Sequence, residues 1–344
     1  MTVLARKYLV LLLALAIYLP AGAAQYQVVD LGNLGMVGSG ASAVNESGAV
    51  VGWSDVNDSD LHAFLWEPRT GMIDLGTLGH QWSRGNGINN RGMVAGSSWD
   101  PTGNPLDSQA FVWDAKHGMV WLPGLTSLYG EAEDIDDSGD VVGCSGNLDA
   151  TRATLWDRSR LPRDLGTLGG LNSWAYGMND TGIVVGQSHT DLGMYHAFAW
   201  TERGGMVDLG TFGGRESCAL EVNNAGKVVG FAQTSGWIRH AFIWDARKGL
   251  TDLGTLDGYI GSGAMAISNS GNVVGYCYND EFVRDARACI WDAKGRITAL
   301  EDLIDPGSGW QLGLARDITE KGLIVGVGTN PDHQDTGFLL IPRP

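Results

Sequence analysis

Short aliphatic runs recur along the whole chain, each closed by glycine or a turn residue, and nowhere do apolar residues repeat with the 3.6-residue period of a helix. The most regular run is an aromatic-rich strand signal. It reads His62-Ala-Phe-Leu-Trp66, Gln109-Ala-Phe-Val-Trp113, Arg152-Ala-Thr-Leu-Trp156, His196-Ala-Phe-Ala-Trp200, His240-Ala-Phe-Ile-Trp244 and Arg287-Ala-Cys-Ile-Trp291. A weaker last copy is Gly337-Phe-Leu-Leu340. Successive copies end 43 to 49 residues apart. A second signal, Asn-x-x-Gly followed by Val-Val-Gly, starts at Asn45 and recurs at Asn89, Asp136, Asn179, Asn223, Ser268 and Thr319. Each signal occurs seven times.

One unit predicts four short strands. Ala43-Val44 leads into a turn in which Asn caps its own backbone and Gly accepts positive φ. Val50-Val-Gly52 forms a second strand, His62 to Trp66 a third, and Met72-Ile-Asp-Leu-Gly76 a fourth. Four strands in about 44 residues is the period of a propeller blade. A lone fourth-strand motif, Tyr26-Gln-Val-Val-Asp-Leu-Gly32, precedes the first full unit, and the last unit stops after its third strand. The expectation is therefore an all-β chain: a seven-bladed β-propeller over residues 25–344, whose last blade is completed by the N-terminal strand 26–32. Such an interlock leaves no open sheet edge between the ends.

The units Asp74-Leu-Gly-Thr-Leu-Gly79, Asp164-Leu-Gly-Thr-Leu-Gly-Gly170 and His240-Ala-Phe-Ile-Trp244 resemble the HAF repeat family of bacterial extracellular proteins. So does the ending, Asp302-Leu-Ile-Asp-Pro-Gly-Ser-Gly-Trp310 followed by Phe338-Leu-Leu340. The likeness covers nearly the whole chain after its first residues. It implies an exported repeat protein and carries no activity with it. Trp121-Leu-Pro-Gly124 departs from the Asp-Leu-Gly-Thr pattern, which predicts a distorted blade there.

Export is also expected from residues 1–24. Arg6 and Lys7 precede an apolar run from Tyr8 to Tyr18, then Pro20 and Ala21-Gly-Ala-Ala24. This is the order of a cleaved signal peptide, and the run is short for a membrane span. A secreted protein, extracellular or periplasmic, with no membrane insertion after cleavage and a monomeric state is the expectation. The formal charge of −16 becomes two more negative without that segment, which disfavours nucleic acid as a partner.

Chemistry is faint. His62, His196 and His240 share a frame position with Gln109, Arg152 and Arg287, which suits a structural hydrogen bond. Asp134-x-Asp136-x-Ser138-Gly139-Asp140 resembles the start of a calcium loop, but Ser145 stands where a bidentate Glu is needed, and turn chemistry accounts for it. No metal or cofactor is expected. Asp134, Glu221 and Asp317 stand two before the turn residue, where other units have Ala or Gly, so they are candidate channel acids. Cys277 and Cys289 flank a hairpin and are a candidate cross-strand disulfide. Six tryptophans fall outside the repeat frame: Trp53, Trp82, Trp99, Trp174, Trp237 and Trp310. They follow second or fourth strands, whose connections emerge on one face of a propeller. That face is expected to bind a carbohydrate or protein ligand. The alternatives are an enzyme, a lyase or glycoside hydrolase working at the channel mouth, and a structural envelope protein.

Overall fold

The computed structural model describes residues 24–36, 38–102, 107–126, 129–147, 149–279 and 285–344, so the expected export segment up to Ala23 lies outside the described residues. Each repeat lays down an antiparallel four-stranded meander. The first holds β2 (Ser39–Val44), β3 (Val50–Asp55), β4 (Leu61–Glu67) and β5 (Gly71–Gly76). Next come β6 (Trp82–Ile88), β7 (Val94–Trp99), β8 (Gln109–Asp114) and β9 (Gly118–Trp121), then β10 (Gly130–Ile135), β11 (Val141–Gly146), β12 (Thr151–Trp156) and β13 (Pro162–Asp164). They are followed by β14 (Gly169–Met178), β15 (Val184–Thr190), β16 (Tyr195–Thr201) and β17 (Gly205–Gly210), and by β18 (Gly213–Val222), β19 (Val228–Thr234), β20 (Arg239–Asp245) and β21 (Gly249–Asp252). The last full meander is β22 (Gly261–Ile267), β23 (Val273–Tyr278), β24 (Arg287–Trp291) and β25 (Ile297–Ala299). The final sheet combines β26 (Gln311–Ile318), β27 (Ile324–Thr329) and β28 (Asp335–Pro342) with β1 (Tyr26–Asp30), in register from Tyr26↔Pro342 to Asp30↔Phe338. A single parallel pairing, Leu61↔Trp82, links the first two meanders into one eight-stranded sheet.

The repeat sequence explains itself in the contacts. In Val-Val-Gly, a Cβ on Gly186 would lie 1.9 Å from the Trp174 carbonyl oxygen of the adjacent first strand, and the equivalent Gly230 would meet Cys218 O at 2.0 Å. Only glycine allows this approach, while Phe64, Phe111, Phe198, Phe242 and Phe338 fill the interior at 0% exposure. Trp156 and Trp291 are equally buried, and their indole N–H groups donate to Pro123 O (2.6 Å) and Leu253 O (2.9 Å) at the end of the preceding repeat. His62, His196 and His240 hold Asp74, Asp208 and Asp252 through Nδ1 at 2.8 to 2.9 Å, two strands joined side by side.

Five of the first strands carry a serine that staples neighbouring meanders. Ser83, Ser173, Ser217 and Ser262 donate to the carbonyls of Gly76, Gly166, Gly210 and Gly254, and accept from the backbone N–H of Ala63, Ala153, Ala197 and Ala241. Ser39 makes the same two bonds to Gly32 O and Gly337 N, at opposite ends of the chain. First strands also touch in cyclic order: β2 on β6, then β10, β14, β18, β22 and β26, which returns to β2. No helix among the described residues is long and apolar enough to cross a membrane.

Candidate functional site

Every first strand carries a β-bulge at the same place, between Ala41 and Ala43 in β2 and at the matching step in β6, β10, β14, β18, β22 and β26. A bulge inserts one residue and re-aims its side chain. The inserted residues are Ser42, Asn86, Glu133, Tyr176, Leu220, Met265 and Arg316, and all of them line one axial cavity of about 530 Å³. Arg84, Glu131 and Trp99 stand above them, with Ser97 and Ser108 set back in the wall. The channel acids Asp134, Glu221 and Asp317 line the same cavity.

Small residues make room for those acids. A Cβ on Gly87 would lie 2.9 Å from Asp134 Cα, and one on Gly177 would lie 3.3 Å from Glu221 Oε1. Asp134 accepts from Ile135 N (2.7 Å) and, across the joint to the next repeat, from Met178 N (2.9 Å). Asp317 does the same with Ile318 N (2.7 Å) and Val44 N (2.8 Å). Glu221 accepts from Val222 N at 2.7 Å. Burial pushes Asp134 and Asp317 up to about 6, the Asp317 charge being part of the rise at Asp134. Burial, with Asp134 and Asp317 adding to it, holds Glu221 well above the usual carboxylate range. No cation lowers any of the three.

One level up, the charges are mixed. Burial and the neighbouring Glu131 drive Glu133 up to about 8, against the opposing pull of Arg84 and Arg316. Burial brings Arg316 down to about 10. Arg84 Nε donates to Ser42 Oγ at 3.4 Å, whereas Arg316 Nε, Ser97 Oγ and Ser108 Oγ are buried with no hydrogen-bond partner. Ser97 and Ser108 are only 5% and 7% exposed. Unpartnered polar atoms this deep are costly in a folded protein unless a ligand or water meets them.

Past the three acids the axis opens into a cavity of about 200 Å³ among the Asn-x-x-Gly turns, sharing Ile88, Asp134 and Glu221 with the first. There the backbone N–H groups of Glu46, Asn90, Asp137, Asp180 and Asn224 each donate to the side chain at the matching place one repeat on, from Asn90 Oδ1 at 3.0 Å to Asn269 Oδ1 at 2.7 Å. Asn269 N donates to Glu320, and Glu320 N returns the chain to Glu46 Oε1 at 2.7 Å. Asp136 Oδ1 accepts from Ser138, Gly139 and Asp140, which is turn chemistry.

The off-frame tryptophans make separate local contacts. Trp82 and Trp99 meet edge to face at 6.0 Å, and Trp174 packs on Tyr195 at 5.9 Å. Trp310 stands against Phe338 at 6.4 Å, and Trp53 covers Gly40, where a Cβ would lie 2.7 Å from its indole nitrogen. Trp237, 60% exposed, stacks with Arg215 at 4.8 Å. Of the six, Trp99 alone among the described residues lines the axial cavity.

The expected disulfide is corrected in its geometry. Cys277 pairs with Arg287 and Cys289 with Gly275, so the two are diagonal and not opposite, because the hairpin register is offset by two residues. Both thiols are free, with Sγ atoms 3.5 Å apart. Cys277 accepts from Leu256 N (3.4 Å), as Ser54, Ser98, Ser145 and Ser188 accept from Leu34, Leu78, Leu125 and Leu168. Cys277 occupies this second-strand serine position with sulfur in place of oxygen.

Sequence reasoning found the three acids but missed Arg84, Glu131, Glu133, Tyr176 and Arg316. One signal was present: the place three before the turn residue changes from Ser42 to Asn86, Glu133, Tyr176, Leu220, Met265 and Arg316 while the residue before it is always Ala or Gly. Without the bulge, that place had no assigned direction.

No protein-family model and no curated protein matches the chain. Among solved structures it is similar to the β-propeller domain of the Trilobed protease from Pyrococcus furiosus, at 13% identity and a TM-score of 0.54, over 88% of this chain and 95% of that one. It is similar to TolB from Acinetobacter baumannii at 14% identity and a TM-score of 0.51, over 77% of this chain and 63% of that one. Acylaminoacyl peptidase from Pyrococcus horikoshii matches at 11% identity and a TM-score of 0.51, over 86% of this chain but only 50% of the peptidase. At such identities the likeness concerns fold and not function. The chain is a β-propeller.

Proposed function

We propose that this chain is an exported, monomeric, seven-bladed propeller of the HAF repeat type, closed by its N-terminal strand, and that it binds a carbohydrate from its loop-rich face. The return of Glu320 to Glu46 and the Ser39 staple to Gly32 and Gly337 support the closed ring. The observation that carries the binding reading is the axial cavity, of ligand size and lined by Trp99, Tyr176, two guanidiniums and several carboxylates, with the Ser97 and Ser108 hydroxyls unpaired in its wall. Sugar hydroxyls both donate and accept, and so complement such a wall. A protein ligand reached through the separated loop aromatics is the weaker version of the same idea.

The test is a glycan array probed with the mature protein and with Trp99→Ala and Arg84→Ala. Expected is binding by the wild type that falls at least tenfold in both variants. If the array stays dark for the wild type, the carbohydrate reading fails.

One observation favours the enzyme alternative. Glu133, raised to about 8, stands beside Asp134, raised to about 6, and two carboxyls with separated proton affinities can divide acid and base roles. Turnover of any glycan bound on the array, lost in Glu133→Gln, would move the reading from binding to catalysis.

A further inference from the structure

A guanidinium withdrawn from water spends its five N–H donors on carboxylates or carbonyls, because leaving it unpaired is costly. Two arginines of the axial cavity do not follow that rule. Arg316, half-buried on the bulge of β26, makes no hydrogen bond or ion pair among the described residues, and its Nε is sealed in without an acceptor. Arg84, half-buried on β6, makes one long bond, from Nε to Ser42 Oγ at 3.4 Å. The ion pairs that arginines form among the described residues run instead through Arg152, Arg158, Arg163, Arg239, Arg287 and Arg296. The terminal nitrogens of Arg84 and Arg316 are neither bonded nor sealed, so their N–H groups meet open cavity space.

The carboxyls of the cavity do not answer them. Both oxygens of Asp134 and of Asp317 are taken by backbone N–H groups. Glu133 is felt by both guanidiniums but bonded by neither, and at about 8 it keeps its proton at neutral pH. Arg316, brought down to about 10 by burial and then by the Arg84 charge, stays charged beside Arg84. Two neighbouring like charges with open donors are the arrangement that an oxyanion completes. Arg316 also lines a second cavity, of about 820 Å³, with Trp53, Tyr259 and Gln311. The two cavities meet at Arg316, with Trp99 and Tyr176 in one and Trp53 and Tyr259 in the other. Their joined space has room for more than one sugar ring, with the arginines between the aromatic pairs.

We propose that Arg84 and Arg316 form a subsite for an anionic group on a sugar, a carboxylate or a sulfate, and that the carbohydrate taken by this protein is acidic. The proposal rests on the carbohydrate reading above and narrows it. In this arrangement the anion sits between the two guanidiniums, and the sugar rings on either side of it lie in the two cavities. A neutral sugar would leave both charges unpaired.

The experiment is calorimetric titration of the purified protein at pH 7 with galacturonate oligomers, neutral galactose oligomers of equal length, sulfated galactose oligomers, and a glutamate tripeptide blocked at both ends. Expected is that an anionic oligomer binds at least tenfold tighter than the neutral oligomer and the peptide; which one does so tells carboxylate from sulfate. The formal charge of −16 repels anions in general, so bulk attraction does not produce such a preference. In Arg316→Gln the preference should shrink to twofold or less. That variant gives up no bond within the protein, so its melting temperature should be no lower than the parent's. A clearly lower one would show that the guanidinium serves the fold, and would overturn the proposal. If the neutral oligomer binds as tightly as the anionic ones, the anion subsite is overturned and the carbohydrate reading stands. If the peptide binds best, an acidic peptide displaces the acidic sugar. A preference that survives in Arg84→Gln with Arg316→Gln arises elsewhere, and the subsite is again overturned. If no oligomer and no peptide binds, both readings fall together.

Discussion

At the scale of single residues, the propeller is governed by where a side chain is impossible and where a charge is confined. Gly186 illustrates the first. With Trp174 O lying 1.9 Å from where its Cβ would be, Gly186→Ala must push the first and second strands of that blade apart. A loss of about 3 kcal/mol or more is expected by chemical denaturation, in the range of severe backbone substitutions. Glu133 illustrates the second. It is faced by Glu131, Asp134, Arg84 and Arg316, and Asp134 by Asp317, Asp136 and Glu221. A raised carboxyl pKa means that the folded protein keeps a proton that the unfolded chain has already released. The stabilising contribution is complete below the ordinary values of 3.8 and 4.5 and is lost as pH climbs through about 6 for Asp134 and Asp317 and about 8 for Glu133. The melting temperature is therefore expected to fall between pH 5 and pH 8.5. In Glu133→Gln the part of that fall between pH 6.5 and pH 8.5 should become shallower, Glu221 still contributing to it, and an unchanged slope would count against the burial of the Glu133 carboxyl.

At the scale of elements, the first strand matters more than its length suggests. β1 pairs along its whole length with β28, and the segment after it supplies Gly32 O to the Ser39 staple. Without residues 26–32, β28 becomes an open edge, and Val28 and Leu31 no longer pack on their clusters. Deleting that segment should lower the melting temperature by about 10 °C or more and promote association through the bared edge, read by thermal scanning and light scattering. A melting point within about 2 °C of the parent would show that the last blade does not need the strand. Register is the other lesson at this scale. Cys277 and Cys289 look opposite when the hairpin is counted from its centre, yet the ladder pairs Cys277 with Arg287 and Cys289 with Gly275, two residues away from that count.

At the scale of the whole molecule, the seven backbone-to-side-chain bonds that lead from Glu46 round to Glu320 and back are what the proposed ring has and a stack of repeats lacks. An open array of repeats tolerates the loss of an internal unit, because each unit contacts only its neighbours. A ring does not, since closure fixes the number of blades. Removing the blade β14–β17 with its following connection, residues 169–212, is expected to abolish the cooperative melt and send the protein into aggregates on size exclusion. A soluble, cooperatively folding six-repeat protein would show that closure does not set the blade number.

Two features of the sequence decided the architecture by themselves. The seven copies of both repeat signals set the strand number and order, and the displaced fourth-strand motif at Tyr26 pointed to the pairing with the end of the chain. These are local signals, written in turn glycines, alternating apolar residues and spacing, and they survive without knowledge of any contact. The histidines were legible as structural for the same reason, since each repeat gives a control for the others. The site was not legible in this way. Asp134, Glu221 and Asp317 stood out because they replace small residues, but only the tertiary structure brings them to one cavity. Glu133 and Arg316 depend on a bulge, which turns one residue in each first strand toward the axis, and a bulge has no distinct sequence mark here. The tryptophans show the converse. Sequence grouped them by loop class, and the tertiary structure gives several of them a ring partner within their own blade, Trp82 with Trp99, Trp174 with Tyr195 and Trp310 with Phe338, because ring packing depends on side-chain neighbours and not on which loop a residue occupies.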